Sequence, residues 1–280
     1  MNRFFDRILF MKYKNIIMGV FIDRPNRFIA NVLINGVAEK VHVKNTGRCK
    51  ELLEKGNIVY LEDFKDRMGT RKMRYSLIGV LKNSHIDDSM VNKDSNVKYL
   101  NSKDVYYANY TNFVPSYKGI IINMDSQAPN KVVHEALLDG SILLPGMGKL
   151  DIIKPEQKYK NSRFDFYVED EYKQRAYIEV KGCTLEYNGT AYFPDAPTKR
   201  GSKHVHELID SINEGFKAFV ILVVQIEDLK LFRPNWDTDY TFSKSLLEAN
   251  KKGVCVLAYN CNVTCDSLSI NKPMSIELRK

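Results

Sequence analysis

The sequence predicts an α/β protein, α+β overall, in which an OB-like β-barrel is followed by a mixed α/β domain built on a central sheet. Three observations carry this. The first third reads as short strands joined by turn signals, with one small helix among them. The second half alternates helical and strand patterns and contains the nearly continuous apolar run KAFVILVVQ. Positive charge is unevenly placed: residues 1–118 hold 21 Lys+Arg against 12 Asp+Glu, and residues 119–280 hold 21 against 22. A basic module beside a near-neutral one suits a polyanion-binding domain attached to a domain with its own task, although a merely basic soluble protein would have the same totals. The 280 residues suffice for two domains, each with its own core.

In the first domain, expected over residues 1–83, FIDRPNRFIANVLING alternates into Asn35-Gly36, a strong hairpin signal between apolar runs. VAEKVHVKN is the return strand. A short polar helix is expected at Arg48–Glu54, ending at Gly56, with NIVYLEDF and MRYSLIGVL as further strands. Residues 84–118 turn polar and lose periodicity, which predicts an irregular insertion at the domain boundary.

The second domain is expected over residues 119–280. Asn130 is placed to cap a helix whose stripe is Val132, Val133, Ala136 and Leu137, with Gly140 as its stop. Strands SRFDFYV and RAYIEVKG follow, then the loop YFPDAPTKRG. The next helix has Val205, Leu208, Ile209 and Ile212 on one face and closes at Gly215. KAFVILVVQ reads as a central buried strand. A helix near Ser243–Lys252, stopped by Gly253, and the strand VCVLAY complete the pattern. The tail from about residue 260 receives no assignment.

No apolar run reaches the roughly 20 residues that cross a bilayer. The opening MNRFFDRILFMKYKNIIMGVF interleaves basic and apolar residues instead of building a signal peptide. Five scattered cysteines, Cys49, Cys183, Cys255, Cys261 and Cys265, fit reduced thiols better than a disulfide framework, so a cytoplasmic protein is expected. Cys261 and Cys265 have no second ligand pair to complete a metal site. No heptad or exposed apolar stripe demands a protein partner.

The chemistry concentrates in the two strands after the first helix. In RFDFYV, Phe164, Phe166 and Val168 share one face and Asp165 the other; in AYIEVK, Glu179 and Lys181 lie opposite Ile178 and Val180. A hairpin turning about Tyr172 pairs Asp165 with Glu179, and directly opposed Cβ atoms lie roughly 4.5–5.5 Å apart. Two carboxylates so placed repel unless a cation lies between them, and Mg²⁺ (or Mn²⁺) accepts one or two carboxylates plus water and phosphate oxygens. Lys181, on the same face, is placed to orient a water or neutralise a scissile phosphate. Glu135, beside the helix stripe, is a third candidate ligand. On spacing alone, a surface hairpin with ordinary ion pairs is the better account of these residues, because this spacing arises often by chance.

The segments PNRFIANV, VKNTGRC, DSQAPNKVVHEAL, SRFDF, IEVKGCTL, FPDAPTKRGSKHVHEL and GVCVLAY resemble the SfsA (sugar fermentation stimulation) family over roughly residues 12–260, in the family's order. The resemblance implies an OB-like N-terminal domain and a restriction-endonuclease-like domain of the PD-(D/E)xK nuclease superfamily. In that pattern Asp165 and Glu179 fall on the metal ligands, Lys181 on the catalytic lysine and Glu135 on the helix glutamate. Gln225 is placed like an accessory polar residue. The implied function is nucleic-acid binding, DNA ahead of RNA, with Mg²⁺-dependent phosphodiester hydrolysis. The alternative is a non-catalytic DNA-binding regulator of sugar-utilisation genes. The residues before Met11, the polar stretch at 84–116 and the tail are additions to the usual pattern.

Further candidates follow. Asp195, Thr198, Lys199, Arg200, Lys203 and His204 surround a helix start, where backbone N–H groups and the dipole favour a phosphate. Of His204 and His206, at least one is expected to be a solvent-exposed imidazole. In the barrel, Arg24, Asn26, Arg27, His42, Lys44, Asn45, Thr46, Arg48, Arg71 and Lys72 are candidates for backbone contact, Arg27 and Arg48 on family motifs. Asn45 is equally readable as part of a tight turn.

Overall fold

The computed structural model describes residues 11–45, 47–82, 119–160 and 162–280. The insertion expected at 84–118, and the candidate Thr46, therefore lie outside the described residues. A two-residue strand, β1 (Met11–Lys12), precedes the long β2 (Ile16–Asn26), which turns into β3 (Ile29–Ile34). Asn35 and Gly36 then take φ of 49° and 74°. Two left-handed residues in a row match the twist of a hairpin, and they carry the chain into β4 (Val37–Val43), with Ile34 opposite Val37. Next come β5 (Ile58–Asp63), β6 (Tyr75–Lys82) and β7 (Ile120–Asn123).

A short parallel pairing of β4 with β6, His42↔Ser76 and Val43↔Leu77, closes β2–β6 into a five-stranded barrel. This is the OB-like domain. Its interior is built from alternate strand residues, among them Ala30, Val32, Val41, Val59, Leu61 and Leu77, all fully buried. The helix expected at Arg48–Glu54 does not form. Cys49 takes φ of 44°, a left-handed conformation that interrupts a right-handed helix, and the segment makes isolated turns. A 3₁₀ turn occurs instead at Lys65–Arg67.

The described chain divides into two compact units. One comprises Lys12–Ser126 with Val263–Ser267; the other comprises Gln127–Asn262 and Leu268–Lys280, together with Met11. The boundary expected at residue 119 thus differs from the observed packing, because β7 pairs with β6 in the barrel sheet.

The second unit begins with α1 (Ala128–Asp139). Its cap position is Gln127 and Pro129 lies in the first turn, where the missing N–H would have had no partner. Asn130 is therefore inside the helix and is not its cap. The strands are β8 (Leu150–Tyr159), β9 (Ser162–Asp170), β10 (Arg175–Cys183), β11 (Leu185–Tyr187) and β12 (Thr190–Phe193). Then follow α2 (Lys199–Asn213), β13 (Lys217–Val224), β14 (Leu231–Pro234), α3 (Tyr240–Lys251), β15 (Cys255–Val263), β16 (Ser267–Pro273) and β17 (Ser275–Ile276).

The main sheet runs β1-β16-β15-β13-β10-β9-β8, and a smaller one β11-β12-β14-β17. β13 lies between β10 and β15, parallel to both, and is buried from Ala218 to Val224, as its unbroken apolar run requires. The tail supplies β16 and β17, whose short polar pattern carries little strand signal. Asp239 Oδ1 caps α3 through Phe242 N at 2.9 Å, while its Oδ2 accepts from Thr198 N at 2.7 Å, tying the starts of α2 and α3 together. No disulfide links the five cysteines. Among the described residues no helix is long and apolar enough to cross a membrane.

Candidate functional site

β9 alternates as its sequence demands: Phe164, Phe166 and Val168 are buried, and Arg163, Asp165 and Tyr167 turn to the other face. The antiparallel register with β10 runs Glu169↔Arg175 through Phe166↔Ile178. One step further brings Asp165 opposite Glu179. There the backbone ladder gives way to a side chain, and Asp165 Oδ2 accepts from Val180 N at 2.7 Å. Its Oδ1 accepts from Asn130 Nδ2 on α1, also at 2.7 Å. Glu179 is only 2% exposed, which removes the surface-hairpin account of these residues. Its Oε1 contacts both the Lys181 ammonium and His204 Nδ1, the latter at 2.6 Å. Its Oε2 is buried without a hydrogen-bond partner.

His204 is buried on α2, and Arg200 Nε approaches its Nε2 at 3.4 Å. A guanidinium can only donate, so His204 Nε2 accepts and the ring proton sits on Nδ1, facing Glu179. His206, two residues on, is exposed, because a helix turns about 200° in two residues.

Burial is the first influence on both carboxyls and would raise each. For Asp165 the Glu179 charge adds to it, and the carboxyl is pushed up to about 6 against the opposing pull of Val180, Lys181 and Asn130. For Glu179 the His204 hydrogen bond and the Lys181 charge outweigh burial and leave the carboxyl below its usual range. Two neighbouring carboxylates driven in opposite directions are a feature of functional sites.

A hard divalent cation fits this donor set. Two carboxylates share one face, one of them with a buried oxygen to which no protein group donates, and oxygen ligands are what Mg²⁺ or Mn²⁺ selects. Glu135 does not join them. Five residues beyond Asn130, it points away from that face, and its carboxylate accepts from Met11 N at 3.1 Å. Burial raises its carboxyl, with the Met11 amide pulling the other way. Among the described residues no three His, Cys, Asp or Glu side chains group to hold a metal, so an ion on Asp165 and Glu179 would need further oxygen ligands of another kind.

Gln225 is buried just past β13 and lies over Gly182. A Cβ at 182 would meet Gln225 Oε1 at 2.6 Å and Pro129 Cγ at 2.7 Å, so only glycine lets α1 and Gln225 approach the end of β10 this closely. Thr198 caps α2, accepting from Gly201 N at 3.0 Å. Asp195 is half-buried in the preceding loop, and Lys199, Arg200 and Lys203 are exposed in the first turn. The sequence pattern missed Asn130 as a carboxylate partner. Its neighbour one turn on, His134, stacks on Phe166 at 5.7 Å, so the 130/134 spacing was the available signal.

In the barrel the basic candidates separate into two groups. Arg24 donates to the carbonyls of Gly47, Arg48, Arg27 and Asn45 at 2.6–2.9 Å and so organises a loop from within. Lys44 is an inner cation, 3.0 Å from Asp125 and 3.6 Å from Glu62. Asn45 Oδ1 closes its own turn on Gly47 N, and Asn26 does the same on Phe28 and Ile29. Arg71 lies 3.7 Å over the Phe64 ring and donates to Ser76 Oγ at 2.5 Å. His42 is half-buried, and burial followed by the Arg71 and Lys44 charges lowers its pKa. Arg27, Arg48 and Lys72 remain exposed, and Arg27 lies 4.9 Å over Phe28, itself 45% exposed.

Two family models match the chain. The one described as the sugar fermentation stimulation protein RE domain covers residues 127–267, and the SfsA N-terminal OB domain covers 22–92. A sugar fermentation stimulation protein homolog of Ruminiclostridium cellulolyticum is 44% identical over 96% of this chain and 100% of its own. The homolog of Clostridium beijerinckii is 45% identical over the same shares. Pyrococcus furiosus SfsA, solved in complex with Ca²⁺, superposes with a TM-score of 0.75 at 23% identity, covering 96% of this chain and 98% of the other. At that identity the likeness is one of fold.

Proposed function

This chain belongs to the SfsA family, and we propose that it is a nucleic-acid-binding protein whose second unit hydrolyses phosphodiester bonds with a divalent metal, in the manner of PD-(D/E)xK nucleases. The observation that carries the reading is the half-buried Asp165 beside the buried Glu179, with Lys181 on the same face and Glu179 Oε2 without a partner.

Asp165 and Glu179 would hold the metal, Mg²⁺ or Mn²⁺. When bound, such an ion lowers the pKa of a coordinated water and offsets phosphate charge. Asn130 and the Val180 amide fix the Asp165 carboxylate, so it is oriented before substrate arrives. His204 does the same for Glu179. Lys181, largely enclosed, supplies a positive charge where the phosphate would gain negative charge, and its ammonium can orient the attacking water. The exposed Arg27, Arg48 and Lys72 of the barrel are suited to backbone phosphates, with DNA the first substrate to try and RNA the second.

The test is incubation of the parent and of Asp165→Ala/Glu179→Ala with labelled single-stranded DNA, duplex DNA and RNA, in Mg²⁺, Mn²⁺ or EDTA, with binding read in parallel. Metal-dependent cleavage by the parent alone, with binding retained in the variant, is expected. Binding by both without cleavage in any metal would overturn the hydrolase and leave a DNA-binding regulator as the better account.

A further inference from the structure

We propose that a basic cleft between the β8–β9 hairpin and the first turn of α2 receives the phosphodiester backbone of the strand to be cut, a proposal that rests on the nuclease reading. The cleft has a volume of about 790 Å³ and draws Lys158, Lys160 and Arg163 from the hairpin and Lys199, Arg200 and Lys203 from the helix. Glu156 is the one carboxylate in its lining.

Each wall places like charges side by side. Lys158 and Arg163 are direct cross-strand partners, a pairing that is destabilising for two cations. Lys199 and Lys203 are four apart on one helix face, where like charges also repel. Local carboxylates offset part of this: Lys160 pairs with Glu214 at 2.7 Å, Arg163 with Glu156 at 3.5 Å and Lys203 with Glu207 at 3.8 Å. Among the described residues, Lys158, Lys199 and Arg200 have no carboxylate within ion-pair distance. A polyanion laid along the cleft satisfies them together.

The distribution of the charges favours a polymer over a small anion. A lone phosphate is held by donors converging on one point, whereas these side chains are exposed and strung across two elements, matching charges repeated along a strand. The cleft also leads to the chemistry. His204 lines it, and the same imidazole contacts Glu179 Oε1, so one ring separates the cleft from the buried carboxylate.

The experiment measures affinity of the full chain for fluorescein-labelled 20-nucleotide single-stranded DNA, and for its duplex, in EDTA over a series of salt concentrations. It compares the parent, Lys158→Ala/Arg163→Ala, and a control losing two exposed cations elsewhere, Lys230→Ala/Lys272→Ala. Each lost phosphate contact lowers the salt slope by about 0.7 on a single strand or about 0.9 on a duplex, so a drop of roughly 1.4 to 1.8 is expected for the cleft variant. At low salt its binding should weaken roughly tenfold or more, with the control near the parent. Neither variant should melt appreciably below the parent, since the altered side chains are exposed. Equal slopes for cleft variant and control would overturn the proposal, even if the parent cleaves in Mg²⁺. The expected slope loss in the cleft variant, beside a parent that never cleaves, would keep the cleft and remove the nuclease reading. A parent that binds neither strand form would remove both.

Discussion

Glu179 Oε1 lies 2.6 Å from His204 Nδ1, while the other oxygen of the same carboxylate is buried with no partner. One half of the group is held by the protein; the other is the oxygen that the proposed metal would take. His204→Ala should therefore cost about 1–3 kcal/mol, the penalty for a buried group deprived of its partner. His204→Gln should recover part of it. Urea unfolding at neutral pH in EDTA reads the effect, and an unchanged midpoint in His204→Ala would remove the positioning role.

Asp165 predicts a pH dependence of opposite sign to that of an ordinary ion-paired carboxylate. Its folded pKa is raised from 3.8 to about 6. The contribution to stability is thus complete below the unfolded value and lost as pH rises through about 6. Asp165→Asn should be more stable than the parent above pH 6, by on the order of 1–3 kcal/mol, and equal to it below about pH 4. Glu179, held low, behaves oppositely: its contribution is present above its unfolded pKa and lost as pH falls through the folded one. Unfolding in EDTA at pH 4, 5.5 and 7.5 checks the sign, and a parent-to-variant difference that ignores pH refutes it.

A divalent ion seated between these carboxylates should stabilise the fold. At a hundred times its Kd a single-site ligand adds about 2.7 kcal/mol. Mg²⁺ or Mn²⁺ should raise the melting temperature of the parent, EDTA should reverse the rise, and Glu179→Ala should show none. A rise that survives Glu179→Ala places the ion elsewhere.

Arg24 and Arg27, three residues apart, should separate stability from binding. Arg24 supports four backbone carbonyls, and Arg24→Ala should cost about 1–3 kcal/mol. Arg27 is exposed over Phe28, and Arg27→Ala should change stability by under about 0.5 kcal/mol while weakening nucleic-acid binding. Thermal unfolding beside a binding titration distinguishes the two.

Lys44 offsets two enclosed carboxylates, Glu62 and Asp125, whose side chains are 8% and 1% exposed. Lys44→Met should lose about 3–5 kcal/mol, chiefly because the enclosed Asp125 loses the cation 3.0 Å away, whereas Glu62 keeps Arg67 at 3.2 Å. Adding Asp125→Asn should return part of the loss, and the double-mutant cycle measures the coupling. Additive losses would mean that the pair does not interact.

What could be read in advance was what neighbours in sequence decide. Asn35 and Gly36 state a hairpin because their own backbone preferences do. The alternation in RFDFYV and AYIEVK set which side chains share a face, and the turn about Tyr172 set Asp165 against Glu179. An unbroken apolar run made β13 an interior strand. The weak points were also local: a polar run at Arg48–Glu54 resembled a helix, and the tail strands were too short and polar to register.

The amino-acid sequence by itself determined the OB-like barrel, the mixed sheet and the one face that carries Asp165, Glu179 and Lys181, since side-chain period and turn chemistry act over a few residues. Tertiary structure decided which charges work inward. Lys44 meets Asp125 across 81 residues, Arg24 meets Gly47 across 23, and His204 meets Glu179 across 25. It turned Glu135 toward Met11, brought Asn130 to Asp165, and buried Glu179 deeply enough to leave an oxygen without a donor. Burial and charge pairing depend on segments distant in the chain, and only the folded chain sets the distances on which Coulomb and desolvation energies depend.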